Sequence, residues 1–243
     1  LTVPRLYLPS TLLERETIRL EGEDHHIISR VLRLRPGSRV EILDGSGLRV
    51  EAVVEDIGRK ATMVRLGARV EVEEDVPRIH LWQALPAGRK MEAVIRGAVE
   101  MGAKAVNPFI SARSAPWTGD DGNRKLSRWR RIAVEASRLS GRAFLPQVRP
   151  PARWPEVLRA VERIDAALYA DEKGGRTVSE ALDPRFLRDI LLLVGPEGGF
   201  EERERKELQE RGAVPVTLGK NVLRVEHAGM VFMAAVLCRL GRL

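Results

Sequence analysis

From residue 79 onward, short apolar runs alternate with longer amphipathic stretches, and this alternation restricts the possible folds more than any other feature of the chain. Ile79–Trp82, Ala105–Ile110, Ala166–Ala170, Ile190–Val194 and Val214–Leu218 have the length and composition of strands, with one more expected near Phe144–Val148. Helical stretches fall between them: Arg89–Met101 ending at Gly102, a long one over roughly 124–139, then 156–161, 178–182, 201–211, and a last helix from about Glu226 to Leu240. Such alternation predicts an α/β fold with a mostly parallel sheet covered on both faces.

The first seventy residues follow a different pattern. Residues 5–8, 17–20, 39–43, 48–54, 60–66 and 68–72 are strand candidates, and Asp44-Gly45-Ser46-Gly47 is a hairpin turn. A helical stretch opens at Glu23-Asp24 and runs through His25, Ile28, Val31 and Leu32. Together they predict a small barrel or curled sheet. The acidic tract Glu71–Asp75 and the following Val76-Pro77 form the expected linker, dividing the chain into domains over residues 1–73 and 74–243.

Two of the strand candidates end in glycine loops. Gly195-Pro196-Glu197-Gly198-Gly199 follows Ile190–Val194, and Leu218-Gly219-Lys220-Asn221-Val222-Leu223-Arg224 follows Val214–Thr217. Loops of this kind at one edge of a parallel sheet build a ligand crevice beyond the carboxyl ends of the strands. Neither loop carries a dinucleotide or P-loop signature. Glu201, Glu202 and Glu204 then crowd the start of the next helix, where they would repel a phosphate. A neutral or cationic ligand is expected, and the adenosine sulfonium of S-adenosylmethionine meets that condition; the alternative is a pair of structural turns.

Charge leaves two readings, a polyanionic partner, nucleic acid first, or a soluble protein that happens to be basic. The chain has 41 basic and 34 acidic residues, a net charge of +7. Between Gly122 and Trp154 lie Arg124, Lys125, Arg128, Arg130, Arg131, Arg138, Arg142, Arg149 and Arg153, with Glu135 as the sole acid. Arginine forks suit phosphate, so this run is a candidate RNA-backbone surface. Trp129 within it is either core or a stacking platform. A second basic group comprises Arg5, Arg15, Arg19, Arg30, Arg33, Arg35 and Arg39.

Other chemistries find less support. His25-His26 lacks the i, i+4 spacing of a metal pair, and no His-Glu-x-x-His or Cys-x-x-Cys occurs, so no metal site is expected. Cys238, the single cysteine, is expected to be a small buried residue and fits a reducing cytoplasm. No apolar stretch is long enough to span a membrane, and Leu1-Thr2-Val3-Pro4-Arg5 lacks the character of a signal peptide. Arg113, in Ser111-Ala112-Arg113-Ser114, either holds a phosphate or base carbonyl or is an exposed turn residue. At the start of the last helix, Glu226 or His227 is a candidate base, and Glu226 is alternatively a helix cap. The apolar circumference from Met230 to Leu240 predicts burial, against a second subunit.

Taken in order, these segments resemble the RsmE family of small-subunit ribosomal RNA methyltransferases, within the SPOUT superfamily. The resemblance runs through Pro4-Arg5-Leu6-Tyr7, His26–Leu34 and Asp44-Gly45. It continues through Lys90-Met91-Glu92, Glu100-Met101-Gly102, Pro108 to Ser114, Trp129 to Ala136, Gly141-Arg142 and Pro146, and ends in the two loops Leu193–Gly199 and Leu218–Arg224. It implies a C-terminal SPOUT-type domain whose parallel sheet is trefoil-knotted, preceded by a small PUA-like β-barrel that binds RNA. It implies methyl transfer from S-adenosylmethionine to N3 of a uridine in 16S ribosomal RNA, by a cytoplasmic homodimer acting on that RNA or on the small subunit. The residues implied for the cofactor are Tyr169, Val194, Gly195, Glu197, Gly198, Leu218, Gly219, Asn221, Leu223 and Arg224. Those implied for RNA are Arg5, Arg30, Arg33, Arg113, Arg138 and Arg142, and those for catalysis are Arg113, Arg224 and Glu226. Val225 and His227 stand where the family commonly has threonine, and Ala112 and Leu139 where it often has glutamate and glutamine. Two other readings stay open: ribose 2′-O methylation by a related SPOUT enzyme, and a non-catalytic RNA-binding or ribosome-assembly protein.

Overall fold

The computed structural model describes residues 3–243, without the side chains of Asp120 and Asp121; Leu1 and Thr2, which open the N-terminal segment considered above, lie outside the described residues. The chain divides into two compact units. One holds the residues up to Glu74 together with Arg138–Leu145, and the other holds Asp75–Ser137 and Pro146–Leu243.

The first unit contains β1 (Arg5–Tyr7), β2 (Thr17–Glu21), β3 (Arg39–Leu43), β4 (Leu48–Ile57) and β5 (Ala61–Glu71), in the sheet order β1-β3-β4-β5-β2. Alternation sets the faces: in β2, Ile18 and Leu20 are buried while Thr17, Arg19 and Glu21 are exposed. All five strands send such residues into one core with Leu13 and Ile28, so the sheet curls around it. The two strands expected over 60–72 are one continuous strand. Gly67 is no turn; it lets the Glu51 carbonyl approach to 3.3 Å of where a Cβ would stand, beside a register shift between Val50 and Ala52.

Helix α1 (Gly22–His26) runs into a π-helical turn, Ile27–Val31, that buries only Ile28. Residues 138–145 complete this unit. Leu145 N–H donates to the Gly45 carbonyl at 2.9 Å, and Gly47 N–H to Ala143 at 3.2 Å. A Cβ on Gly45 or Gly47 would sit 2.7 Å from the Leu145 or Phe144 side chain, so the hairpin glycines make room for this returning segment. For the same reason the strand expected over 144–148 shortens to Gln147–Val148.

The second unit is a six-stranded, wholly parallel sheet: β6 (Arg78–Ala84), β7 (Ala105–Phe109), β8 (Gln147–Val148), β9 (Ala166–Ala170), β10 (Asp189–Val194) and β11 (Val214–Val216), in the order β11-β9-β10-β6-β7-β8. Central β10 shows why the sequence reads as a continuous apolar run. Ile190, Leu192 and Val194 enter one core, with α2 (Lys90–Glu100), α3 (Gly119–Ser140), α5 (Val178–Ala181) and α7 (Val225–Arg239). Leu191 and Leu193 enter the other, with α4 (Trp154–Arg163) and α6 (Glu202–Glu210). Full burial of each such leucine contributes roughly 1.5–3 kcal/mol.

Helix α7 departs from expectation. It buries Val225, Ala228, Gly229, Phe232, Met233, Val236 and Leu237 on one side. Cys238 falls one position beyond that stripe and is exposed, as is Val231, so the expected burial of the cysteine is corrected.

Candidate active site

Strands β9, β10 and β11 end at one edge of the second unit, and the segments that follow them line a single cavity. Its walls are Ala170–Glu172, Val194–Gly199, Leu218, Gly219 and Asn221–Leu223, with Val225 and Ala228 of α7 as apolar floor. Among the described residues that border it, three are acids, Asp171, Glu172 and Glu197, and none is lysine or arginine. A cavity with that lining suits a ligand carrying positive charge.

Each wall has its own anchor. Buried Arg205, on α6, donates to Asp171 Oδ2 at 3.1 Å and to Glu172 Oε1 at 2.6 Å, which holds the segment after β9. Glu172 in turn crowds Gly199, where a Cβ would stand 2.5 Å from its carboxylate and where φ is +65°. Gly219 meets nothing within 4 Å, but its φ of +120° requires glycine. Gln83, fully buried at the end of β6, donates through Nε2 to Ala84, Val194 and Gly195 carbonyls at 3.1, 3.4 and 3.2 Å. It thereby ties down the root of the Gly195 loop. The one hint of this in the sequence is a polar residue directly continuing the apolar run Ile79–Trp82.

Glu197 connects this cavity to a second one. Its Oε1 accepts from Lys90 Nζ at 2.8 Å and from Ala87 N–H at 3.0 Å. Partial burial works against ionisation of Glu197, but the bonds from Lys90 and from backbone N–H groups outweigh it and hold the carboxyl below its usual range. That same hydrogen bond raises the Lys90 pKa, with Glu226 adding to the rise and Arg224 opposing it. The second cavity is lined by Lys90, Glu197, Val222, Leu223, Arg224, Val225 and Glu226. Glu226 Oε2 is buried with no hydrogen-bond partner among the described residues. No side chain caps the start of α7, so Glu226 is not the helix cap.

Arg113 comes to the same edge from the loop after β7. Its guanidinium donates to the Gly198 carbonyl at 2.8 Å and lies 3.6 Å from Glu201. Beside it Glu204, 5% exposed, accepts from Ala112 N–H and Glu201 N–H, both at 2.9 Å. The acids that open α6 are thus largely structural.

The structure brings Val194, Gly195, Glu197, Gly198, Leu218, Gly219, Asn221 and Leu223 around the first cavity, and Arg224 with Glu226 around the second. Tyr169 lies elsewhere. It is fully buried in the opposite core, edge-on to Phe200, and its hydroxyl accepts from Gln209 at 2.6 Å. Of the arginines expected to meet RNA, Arg30 and Arg33 are exposed, and Arg33 has a φ of +51°. Arg5 pairs with Glu41 at 2.6 Å and underlies Gly141. Arg138 and Arg142 are half-buried, and the Arg142 carbonyl accepts from the Tyr7 hydroxyl. Trp129 is 5% exposed and packs on Trp117, which makes it core.

Comparison with known proteins agrees with this geometry. Residues 73–237 match the model of the RNA methyltransferase domain, and residues 20–62 match that of the RNA methyltransferase PUA domain. Ribosomal RNA small subunit methyltransferase E of Mycobacterium bovis is 33% identical, over 96% of this chain and 91% of its own length. Its counterpart in Synechocystis is 31% identical, over 94% of this chain and 75% of its own. The crystal structure of the Neisseria gonorrhoeae enzyme of that name, bound to S-adenosylmethionine, superposes with a TM-score of 0.87 at 28% identity, covering 98% of each chain. With a SPOUT-type parallel sheet, a PUA-like sheet matched over residues 20–62 and these relatives along nearly its whole length, the chain belongs to the ribosomal RNA small subunit methyltransferase E family of RNA methyltransferases.

Proposed function

We propose that this protein transfers a methyl group from S-adenosylmethionine to N3 of a uridine in 16S ribosomal RNA. The observation that carries the reading is the pairing of two cavities: among the described residues, one is bordered by acids with no lysine or arginine, and the next holds a buried carboxylate oxygen of Glu226 without a hydrogen-bond partner. The first fits the cofactor. The backbone of the Gly195 and Gly219 loops lines this cavity and reads the adenine, and the acids suit a sulfonium. When bound, S-adenosylmethionine supplies an electrophilic methyl carbon.

This chain's residues then have two tasks. Uridine N3 carries a proton at neutral pH, and Glu226 Oε2 accepts it. Negative charge spreads to the uracil carbonyls as the proton leaves, and a fixed cation opposite them lowers the barrier. Arg224, on the same cavity as Glu226, takes that role; Arg113, bonded to Gly198, braces the cofactor loop.

The rest of the reading follows the family. Residues 1–73, joined by the returning segment 138–145, form the RNA-binding domain, and the rest of 74–243 forms the methyltransferase domain, threaded as a trefoil knot. Exposed Arg30 and Arg33 face RNA phosphates. The protein works in the cytoplasm as a homodimer, its subunits meeting on the outer face of α7, where Val231 and Cys238 are exposed. No helix among the described residues is long and apolar enough to cross a membrane.

The test is incubation with labelled S-adenosylmethionine and small ribosomal subunits lacking native N3-methyluridine, followed by nucleoside mass spectrometry. N3-methyluridine in 16S RNA is expected. A ribose-methylated product would replace the proposal with 2′-O transfer, and absence of label despite cofactor binding would remove this RNA as the substrate.

A further inference from the structure

We infer that the second cavity is the acceptor-base pocket, that it selects uracil by hydrogen-bond pattern, and that Lys90 is one of its catalytic donors. The inference rests on the methyl-transfer reading above.

The two cavities share Glu197, Val222, Leu223 and Val225 as a common wall. A planar base in the second therefore lies directly beside a ligand in the first, as transfer between them requires. The base-reading edge of uracil runs carbonyl, N–H, carbonyl: acceptor, donor, acceptor. The second cavity offers the complement, with two cationic donors, Lys90 and Arg224, and one acceptor, the unpartnered Oε2 of Glu226. Cytosine presents a bare N3 and an amino group, so it would set acceptor against acceptor and donor against donor. A buried acceptor left unpaired makes rejection of the wrong partner strong.

Lys90 is also held in place. Its ammonium gives one hydrogen bond to Glu197 Oε1 at 2.8 Å, and the same carboxylate is fixed by Ala87 N–H at 3.0 Å. The other N–H bonds of the ammonium are available to a carbonyl oxygen. Its side chain is 41% exposed, so a base can reach it. The bond to Glu197, which borders both cavities, sets the ammonium at the common wall, where the uracil carbonyl would acquire charge.

Lys90→Met and Lys90→Arg test this. Lys90 touches the first cavity only through Glu197, and Lys90→Arg can keep that bond, so calorimetry should find cofactor affinity in Lys90→Arg within about twofold of the parent, and rates of both variants are compared at saturating S-adenosylmethionine. Single-turnover methylation by Lys90→Met should fall about 100-fold, the scale of losing one donor to a developing oxyanion. Its rate should also rise with pH at higher pH than in the parent, because the uridine anion has lost a cationic neighbour. Lys90→Arg should restore most of the rate. A rate within about threefold of the parent, or a lower rate with an unmoved pH profile, would reduce Lys90 to a structural residue.

Base selection is read without turnover. Uridine 5′-monophosphate and cytidine 5′-monophosphate are titrated by NMR into protein saturated with S-adenosylhomocysteine. The parent should prefer uridine by about tenfold, and Lys90→Met should lose most of that preference. Equal binding by the parent would overturn the pocket even if methylation proceeds. A uridine preference without methylation would overturn the proposed function and leave the pocket standing.

Discussion

Helices α6 and α7 begin at corresponding places, each after a glycine loop at the carboxyl edge of the sheet, and each has glutamate in its first turn. The likeness ends there. At α6, Glu204 accepts the N–H groups of Ala112 and Glu201, so its carboxylate ties the helix start to its own first residue and to the loop after β7. At α7, no side chain caps the helix and Glu226 keeps a buried oxygen unpartnered. Position in the fold does not separate the two glutamates; satisfaction does. A carboxylate whose bonds are made stabilises its loop, and one whose bonds are unmade costs free energy unless a ligand completes it.

The largest effect should come at the open end. Glu226→Gln keeps the shape, removes the proton acceptor, and should lower single-turnover methylation by about 10²–10⁴. Its thermal midpoint should match or exceed the parent's, since an amide is cheaper to bury than a charge. Full turnover in this variant would erase the contrast between the helices. Next is Arg205→Met in α6. It strands buried Asp171, 8% exposed, without its partner and should cost about 3–5 kcal/mol in urea unfolding. A cost under about 1 kcal/mol would mean that something else fixes the segment after β9.

Glu204→Ala should lose about 1–2 kcal/mol by the same measurement, because the N–H groups of Ala112 and Glu201 are left without acceptors. Equal losses from Glu204→Ala and Glu226→Ala would show that both are structural. The smallest effect belongs to a satisfied carboxylate at the other end of the sheet. Partial burial resists ionisation of Asp189, yet bonds from Arg78 and His80 at 2.9 and 2.7 Å outweigh it and lower its pKa. A lowered folded pKa adds stability above the unfolded value, near 3.9, and that stability is lost as pH falls through the folded one. Asp189→Asn should therefore flatten the stability profile below about pH 4, by under about 1 kcal/mol for so partly exposed a group.

The sheet and its two glycine loops were legible because their signals are local. Leu191 and Leu192 must both be apolar if β10 is covered on two sides, and Gly219 marks a backbone angle that other residues avoid. The anchors were not legible because they join distant residues. Nothing near Asp171 announces Arg205, and nothing near Gln83 announces the carbonyls of Val194 and Gly195. Local signals also misled. The strand expected to break at Gly67 runs on through a close approach between strands, and Cys238 shares the apolar character of α7 but not its buried side.

The chain emerges during synthesis in an order that its first unit does not follow. The first unit takes in Arg138–Leu145, whose backbone pairs with the glycine hairpin and accepts the Tyr7 hydroxyl. An N-terminal fragment cut at Glu74 lacks those partners. The small unit therefore waits, part-made, until residues 75–145 have left the exit tunnel, and by then the opening strands and helices of the second unit are already out.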